Sequence, residues 1–228
     1  NYVGVSPYAY CGNNPMNAID KNGEDSYYLT DGTYICDNLK ETDHIYVVSN
    51  YNYLKQLPNG NRVVEFYGKQ SLEEAKLSAN AFSNIFTNVL KRNGFDVDKL
   101  ENKSIAVNVL DNNTKGDGPH YRCIDFYNTT SYPWENAPIA AISNNKITVN
   151  VVLSNQEHRN YLSTISNVIN VLGVHEYTGH GILKLGSDQH WQILKMQRAH
   201  PSWNNTTKKL KDLYLKLEKE IPKEYVKH

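Results

Sequence analysis

The chain has 228 residues, with 24 Lys+Arg against 24 Asp+Glu for a formal net charge of +0, and 39% of its residues are hydrophobic. That length supports one sizeable domain, or one domain plus a small appendage, burying about 70% of the unfolded surface. The even charge balance leaves no basic footprint for nucleic acid, and no apolar run approaches the roughly 18 residues of a membrane-spanning helix. The 17 Tyr compensate for the modest apolar content, since each supplies buried area with a polar tip.

The chain opens with Asn1-Tyr2-Val3-Gly4-Val5 and no Met. It has neither the basic start nor the apolar stretch of a signal peptide, and it reads as a fragment. Residues 7 to 23 run Pro-Tyr-Ala-Tyr-Cys-Gly-Asn-Asn-Pro-Met-Asn-Ala-Ile-Asp-Lys-Asn-Gly. This segment resembles the end of the conserved core of Rhs-type (YD-repeat) bacterial proteins, Y-x-Y-x-x-N-N-P-x-x-x-x-D-x-x-G, through Tyr8, Tyr10, Asn13, Asn14, Pro15, Asp20 and Gly23. Where that family usually carries Asp-Pro-x-Gly, this chain has Asp20-Lys21-Asn22-Gly23. The resemblance implies a β-rich shell followed by a variable C-terminal effector, often a toxin against competing cells. It divides the chain into a core tail, 1–23, and an effector domain, 24–228. It also implies bacterial secretion or cell-surface delivery, with the Rhs core shell and a cognate immunity protein as partners. Independently of family, Asn13-Asn14-Pro15 and Lys21-Asn22-Gly23 are turn formers. The cysteines, Cys11, Cys36 and Cys123, are too widely spaced for a disulfide framework or a thiolate metal site and read as small buried hydrophobes.

Residues 24 to 68 predict short strands at Ser26–Leu29, Thr33–Cys36, Ile45–Val48 and Val63–Tyr67, with Asp31-Gly32 as a hairpin turn. A helix is expected from Leu72 to Lys91. Ser71 and Glu74 form its capping box, Leu72, Ala75, Ala79, Phe82, Phe86 and Leu90 its apolar face, and Asn93-Gly94 its end. The β-branched runs Ser104–Leu110 and Ile147–Leu153 predict two strands of one sheet, and residues 111 to 145 between them read as loop. The second of these strands is a candidate cleft wall able to pair with an extended peptide, as well as an ordinary sheet strand. A long helix follows from about Asn155 to Leu185, with Leu162, Ile165, Val168, Ile169 and Leu172 facing inward and Gly186 closing it. Further helices are expected from about Asp188 to Ala199, stopped by Pro201, and from Thr206 to Lys219. The order predicts an α+β fold: a small twisted sheet, a long motif-bearing helix and further C-terminal helices, the zincin-like layout of small metallopeptidases.

The long helix carries His175-Glu176-Tyr177-Thr178-Gly179-His180. Two neutral imidazoles and an adjacent carboxylate are what a zinc hydrolase requires, as metal ligands and as acceptor of a proton from activated water. In the common H-E-x-x-H form the ligands are i, i+4, about 40° apart on an α-helix; here they are i, i+5, about 140° apart. A π-type bulge returns them to one face, and Gly179 tolerates that distortion. The motif resembles the H-E-x-x-G-H signature of the dipeptidyl-peptidase III class of metallopeptidases. That resemblance implies zinc on His175 and His180 and a general-base role for Glu176.

A catalytic zinc takes a third protein ligand. His190, ten residues beyond His180 and past the Gly186-Ser187 turn, is the first choice, with His200, Asp188, Glu218 and Glu220 as competitors. The dipeptidyl-peptidase III resemblance favours a later glutamate. His200, followed by Pro201-Ser202-Trp203, suits donation to a developing oxyanion as a second catalytic residue; Tyr177 and Tyr161 are further donors. The leading expectation is a zinc metallopeptidase acting on a peptide or protein substrate. A zinc amidase on cell-wall peptides and a non-catalytic binding module remain alternatives, and a nuclease fits poorly without a phosphate-binding patch.

Overall fold

The computed structural model describes residues 25–38, 42–56, 62–110, 139–153, 159–186 and 189–220. The Rhs-like segment, most of the expected 111–145 loop, Asp188, Cys11 and Cys123 lie outside these residues. The fold is α+β, with nine strands among the described residues in three small sheets rather than the single sheet expected.

The first sheet contains β1 (Ser26–Leu29), β2 (Tyr34–Asp37), β3 (Ile45–Val48) and β6 (Gln70–Ser71), in the order β2-β1-β3-β6. The β1–β2 hairpin turns at Asp31-Gly32 as the sequence predicts. Gly32 has φ +83°, and a Cβ there would sit 2.4 Å from the Ala81 carbonyl oxygen, so only glycine fits. A separate antiparallel pair, β4 (Asn50–Gln56) with β5 (Arg62–Tyr67), follows β3; the sequence reading has no strand at β4.

Helix α1 (Ala79–Arg92) starts seven residues later than expected, and its N-cap is Ser78, which accepts from the Ala81 N–H at 3.2 Å. The Ser71–Glu74 pair exists, with the Ser71 hydroxyl donating to Glu74 at 2.8 Å, but it closes an isolated turn. The chain leaves helical geometry there, and the buried Arg159 guanidinium donates to the Leu72 carbonyl at 3.1 Å and also to the Ala75 carbonyl. Those two acceptors would otherwise serve the next helical amides. Ala81, Phe82, Ile85, Phe86, Val89 and Leu90 form the buried face of α1, and Gly94, φ +84°, ends it.

The third sheet contains β7 (Ala106–Leu110), β8 (Ala140–Ser143) and β9 (Lys146–Val152), in the order β7-β9-β8. The two expected strands are its parallel pair, β7 and β9. β8 falls in the expected loop and is turned onto β9 by Asn144 and Asn145, at φ 49° and 60°. β9 is therefore the middle strand, hydrogen-bonded on both sides, and offers no edge to a substrate. That overturns its reading as a peptide-pairing cleft wall; among the described residues the outer strands of this sheet are β7 and β8.

The motif-bearing helix runs as a short α-helical entry, α2 (Ile165–Val168), continuing into a π-helix, Ile169–Ile182. Its start is ten residues later than expected and is fixed from outside. Thr164 caps the Asn167 N–H, the Asp43 carboxylate accepts from Ser166 N at 2.8 Å, and His44 bridges to Thr164. Gly186 does not close it: the helix ends at Ile182, and Lys184 turns the chain at φ 55°. Every residue from Ile169 to Tyr177 is buried, so this helix is central rather than amphipathic. Helices α3 (His190–Ala199) and α4 (Lys208–Glu220) follow close to their expected places. No helix among the described residues is long and apolar enough to cross a membrane.

Candidate metal centre

The π-helix does more than absorb one extra residue between the histidines. Hydrogen bonding from i to i+5 stacks residues five apart in place of four, so Asn170, His175 and His180 form one column along the helix. The column faces α3, whose first residue is His190. Gly179 sets how near α3 comes, because a Cβ there would lie 2.9 Å from Ile193 Cδ1 and Cγ1 on α3. Its role is close approach rather than the backbone tolerance the sequence suggests. On the opposite side a Cβ at Gly181 would lie 2.9 Å from Ile142 Cδ1 of β8. The π-helix is thus wedged between α3 and β8.

These elements bring together His175, His180 and His190, with a ligand nitrogen from each within 4.8 Å of the others. Ring centroids are 5.0 Å apart for His175–His180, 5.3 Å for His175–His190 and 4.7 Å for His180–His190. The Nε2 atoms of His180 and His190 are 3.0 Å apart. His180 Nδ1 lies 2.7 Å from the Leu185 carbonyl, which only accepts, so Nδ1 carries the proton and Nε2 keeps its lone pair. The left-handed Lys184 delivers that carbonyl. His175 Nε2 is buried with no hydrogen-bond partner, while its Nδ1 lies 3.1 Å from Gln197 Oε1. An orphaned, buried imidazole nitrogen facing two others fits a metal ion: a cation would satisfy all three nitrogens, and the three-nitrogen set suits zinc. Burial, and then the neighbouring His190 and His180, push the His175 pKa down to about 3, so the ring stays neutral as a ligand must.

Glu176, the residue after His175, is buried, and no ion pair among the described residues involves it. Burial pushes its carboxyl up to about 8, opposed in part by the Ile142 backbone N–H of β8. The Tyr214 hydroxyl of α4, raised chiefly by burial, also feels the Glu176 charge.

The other sequence candidates go elsewhere. His200 caps a 3₁₀ turn, Pro201–Asn204; its Nδ1 accepts from Ser202 N at 3.2 Å and its ring leans on Phe95. Glu218 pairs with Arg198. The Tyr177 hydroxyl donates to the Asp96 carbonyl at 2.9 Å, and Tyr161 packs at the edge of the core. Sequence reasoning missed Gln197, which contacts His175, and Asn170 and Tyr214, which bond Gln197. The signal for Asn170 was present, since it precedes His175 by the same five residues that separate the motif histidines. No family model, curated protein or solved structure matches the chain.

Proposed function

We propose that the chain is a zinc-dependent hydrolase of amide bonds, a metallopeptidase, with His175, His180 and His190 as metal ligands. The observation that carries this reading is the convergence of three imidazoles, one with a buried orphan nitrogen, on a helix in which the residue after His175 is a buried glutamate, Glu176. Zinc held there would act as a Lewis acid and acidify water at an open position. Glu176, in its ionised form, would accept a proton on a carboxylate oxygen from the attacking water and pass it to the leaving nitrogen. Burial raises its proton affinity above that of an exposed glutamate, and the ionised form that acts as base grows as pH rises through about 8. A helix carrying the motif, the outer strand β8 packed beside it and a following helix that supplies the last ligand suit a zincin-like arrangement.

The delivery context rests on residues 7–23 alone. Their likeness to the end of an Rhs core supports a secreted effector toxin, carried by the Rhs shell and neutralised by an immunity protein. The test uses the Glu176→Gln variant, which keeps size and hydrogen bonding but accepts no proton at neutral pH. Zinc near one per chain in both proteins, with a loss on the order of 10²-fold or more in peptide turnover for the variant, is the expected outcome. A chain that takes up no zinc overturns the metal site. A zinc-loaded wild type inactive on a broad peptide scan but active on cell-wall amides replaces peptidase with amidase. Full toxicity of zinc-loaded Glu176→Gln favours a binding module.

A further inference from the structure

Gln197 is fully buried on α3, seven residues from His190 and so on the same face of that helix, two turns along. Its amide Nε2 lies 3.0 Å from the Asn170 carbonyl oxygen and 2.6 Å from the Tyr214 hydroxyl. Its Oε1 lies 3.1 Å from His175 Nδ1. The Asn170 side chain returns a bond to the Gln197 carbonyl at 3.1 Å and reaches Ser202 Oγ at 3.2 Å.

A carbonyl can only accept. The Asn170 carbonyl therefore requires the NH₂ end of Gln197 on its side, which fixes the amide against a flip. The opposite end, Oε1, can also only accept, so His175 Nδ1 must carry a proton. The single remaining nitrogen, Nε2, is then a bare lone pair, and it is buried without a hydrogen-bond partner, as is Asn170 Oδ1 in the same network. A backbone carbonyl one π-turn below His175 thus dictates, through one side chain, which nitrogen faces the cluster.

We infer that Gln197 is a positioning residue: oriented by Asn170, it locks His175 in the Nδ1–H tautomer and so presents Nε2 to the metal. This rests on the proposed metal site but is tested without it. Because Gln197 is a neutral amide, it orients the imidazole and leaves the charge of the ligand set unchanged, where a carboxylate partner would add a negative charge. Tyr214 supplies a second acceptor for Nε2 and is not needed for the orientation.

The experiment is ¹⁵N NMR of the imidazoles in the metal-free, full-length chain near neutral pH. The expected result is a single Nδ1–H tautomer for His175 in the wild type and in Tyr214→Phe, and a mixture in Gln197→Met. Zinc competition against a chromophoric chelator should show Gln197→Met weakened about 10–100-fold, with near-UV circular dichroism unchanged. A wild-type His175 protonated on Nε2 overturns the inference. So does a Gln197→Met protein that keeps the pure Nδ1–H tautomer and full zinc affinity, or a tautomer change in Tyr214→Phe. Should Gln197→Met fail to fold, the wild-type and Tyr214→Phe spectra still decide. A wild type with the expected tautomer that binds no zinc supports the role of Gln197 and removes the metal reading instead.

Discussion

Helix α1 and the π-helix are equal in length, and both bury large apolar residues, yet they are held by different means. α1 is stable in the ordinary way: a side-chain cap at Ser78, one apolar face, Lys91 and Arg92 in its last turn, and a left-handed glycine to end it. The π-helix has a short capped entry and then depends on its surroundings. Its hydrogen bonding is uncommon, it is buried all round, and its glycines are filled by neighbours: Phe95 against Gly173, Ile193 against Gly179 and Ile142 against Gly181. α1 derives its geometry from its own sequence. The π-helix is held in its geometry by packing, and what it gains is the five-residue spacing that aligns Asn170, His175 and His180. Strained or rare backbone of this kind collects where a site needs it.

The largest test of the contrast is zinc itself. At a hundredfold excess over its dissociation constant, zinc should stabilise the chain by about 2.7 kcal/mol, seen as a rise in thermal midpoint that a chelator reverses. Hydrogen exchange should locate the gain in residues 175–183 and leave α1 unchanged. Equal protection of both helices would mean the π-helix does not depend on the site. Next in size, Gly179→Ala should cost about 1–3 kcal/mol from overpacking and weaken zinc binding, because fully buried Ile193 has no room to retreat. Gly94→Ala, with open space but φ +84°, should cost about 1–2 kcal/mol in backbone strain and leave zinc affinity intact. Denaturant melts with parallel zinc titrations read both, and a zinc defect in the Gly94 variant would erase the distinction. The smallest effect is Ser78→Ala. Loss of the α1 cap should cost about 1 kcal/mol in the same melts, again without touching zinc affinity.

The parts legible in the sequence were those governed by local chemistry. Asp31-Gly32 marked its hairpin, the β-branched runs marked β7 and β9, and the histidine spacing announced a departure from α-helical geometry. Where the reading failed, a partner distant in sequence holds the backbone. Arg159 takes the Leu72 and Ala75 carbonyls, where α1 was expected to begin, and Asp43 and His44 set where the motif helix starts. β8 was lost for a different reason. Asn144-Asn145 is a two-residue turn with both residues left-handed, a conformation asparagine tolerates, but the pair lacks the glycine that usually flags it. For the site, the motif and His190 could be read because metal ligands are chemically distinctive. Gln197 could not, since a buried amide looks like any other glutamine until the helix opposite is in place.

The hydrogen bond from Ser166 N to the Asp43 carboxylate closes a span of 123 residues. Contacts so distant in sequence form only after the entropy of a long loop has been overcome, and they slow folding. At the other end, Thr207 accepts from Asn167 at 3.0 Å and Tyr214 completes the surroundings of Gln197. A nascent chain that has emerged only through α3 therefore carries all three histidines and the Asp43 clamp but lacks the Thr207 and Tyr214 contacts. The surroundings of Gln197, and through it of His175, are complete only once the residues that follow α3 have been made.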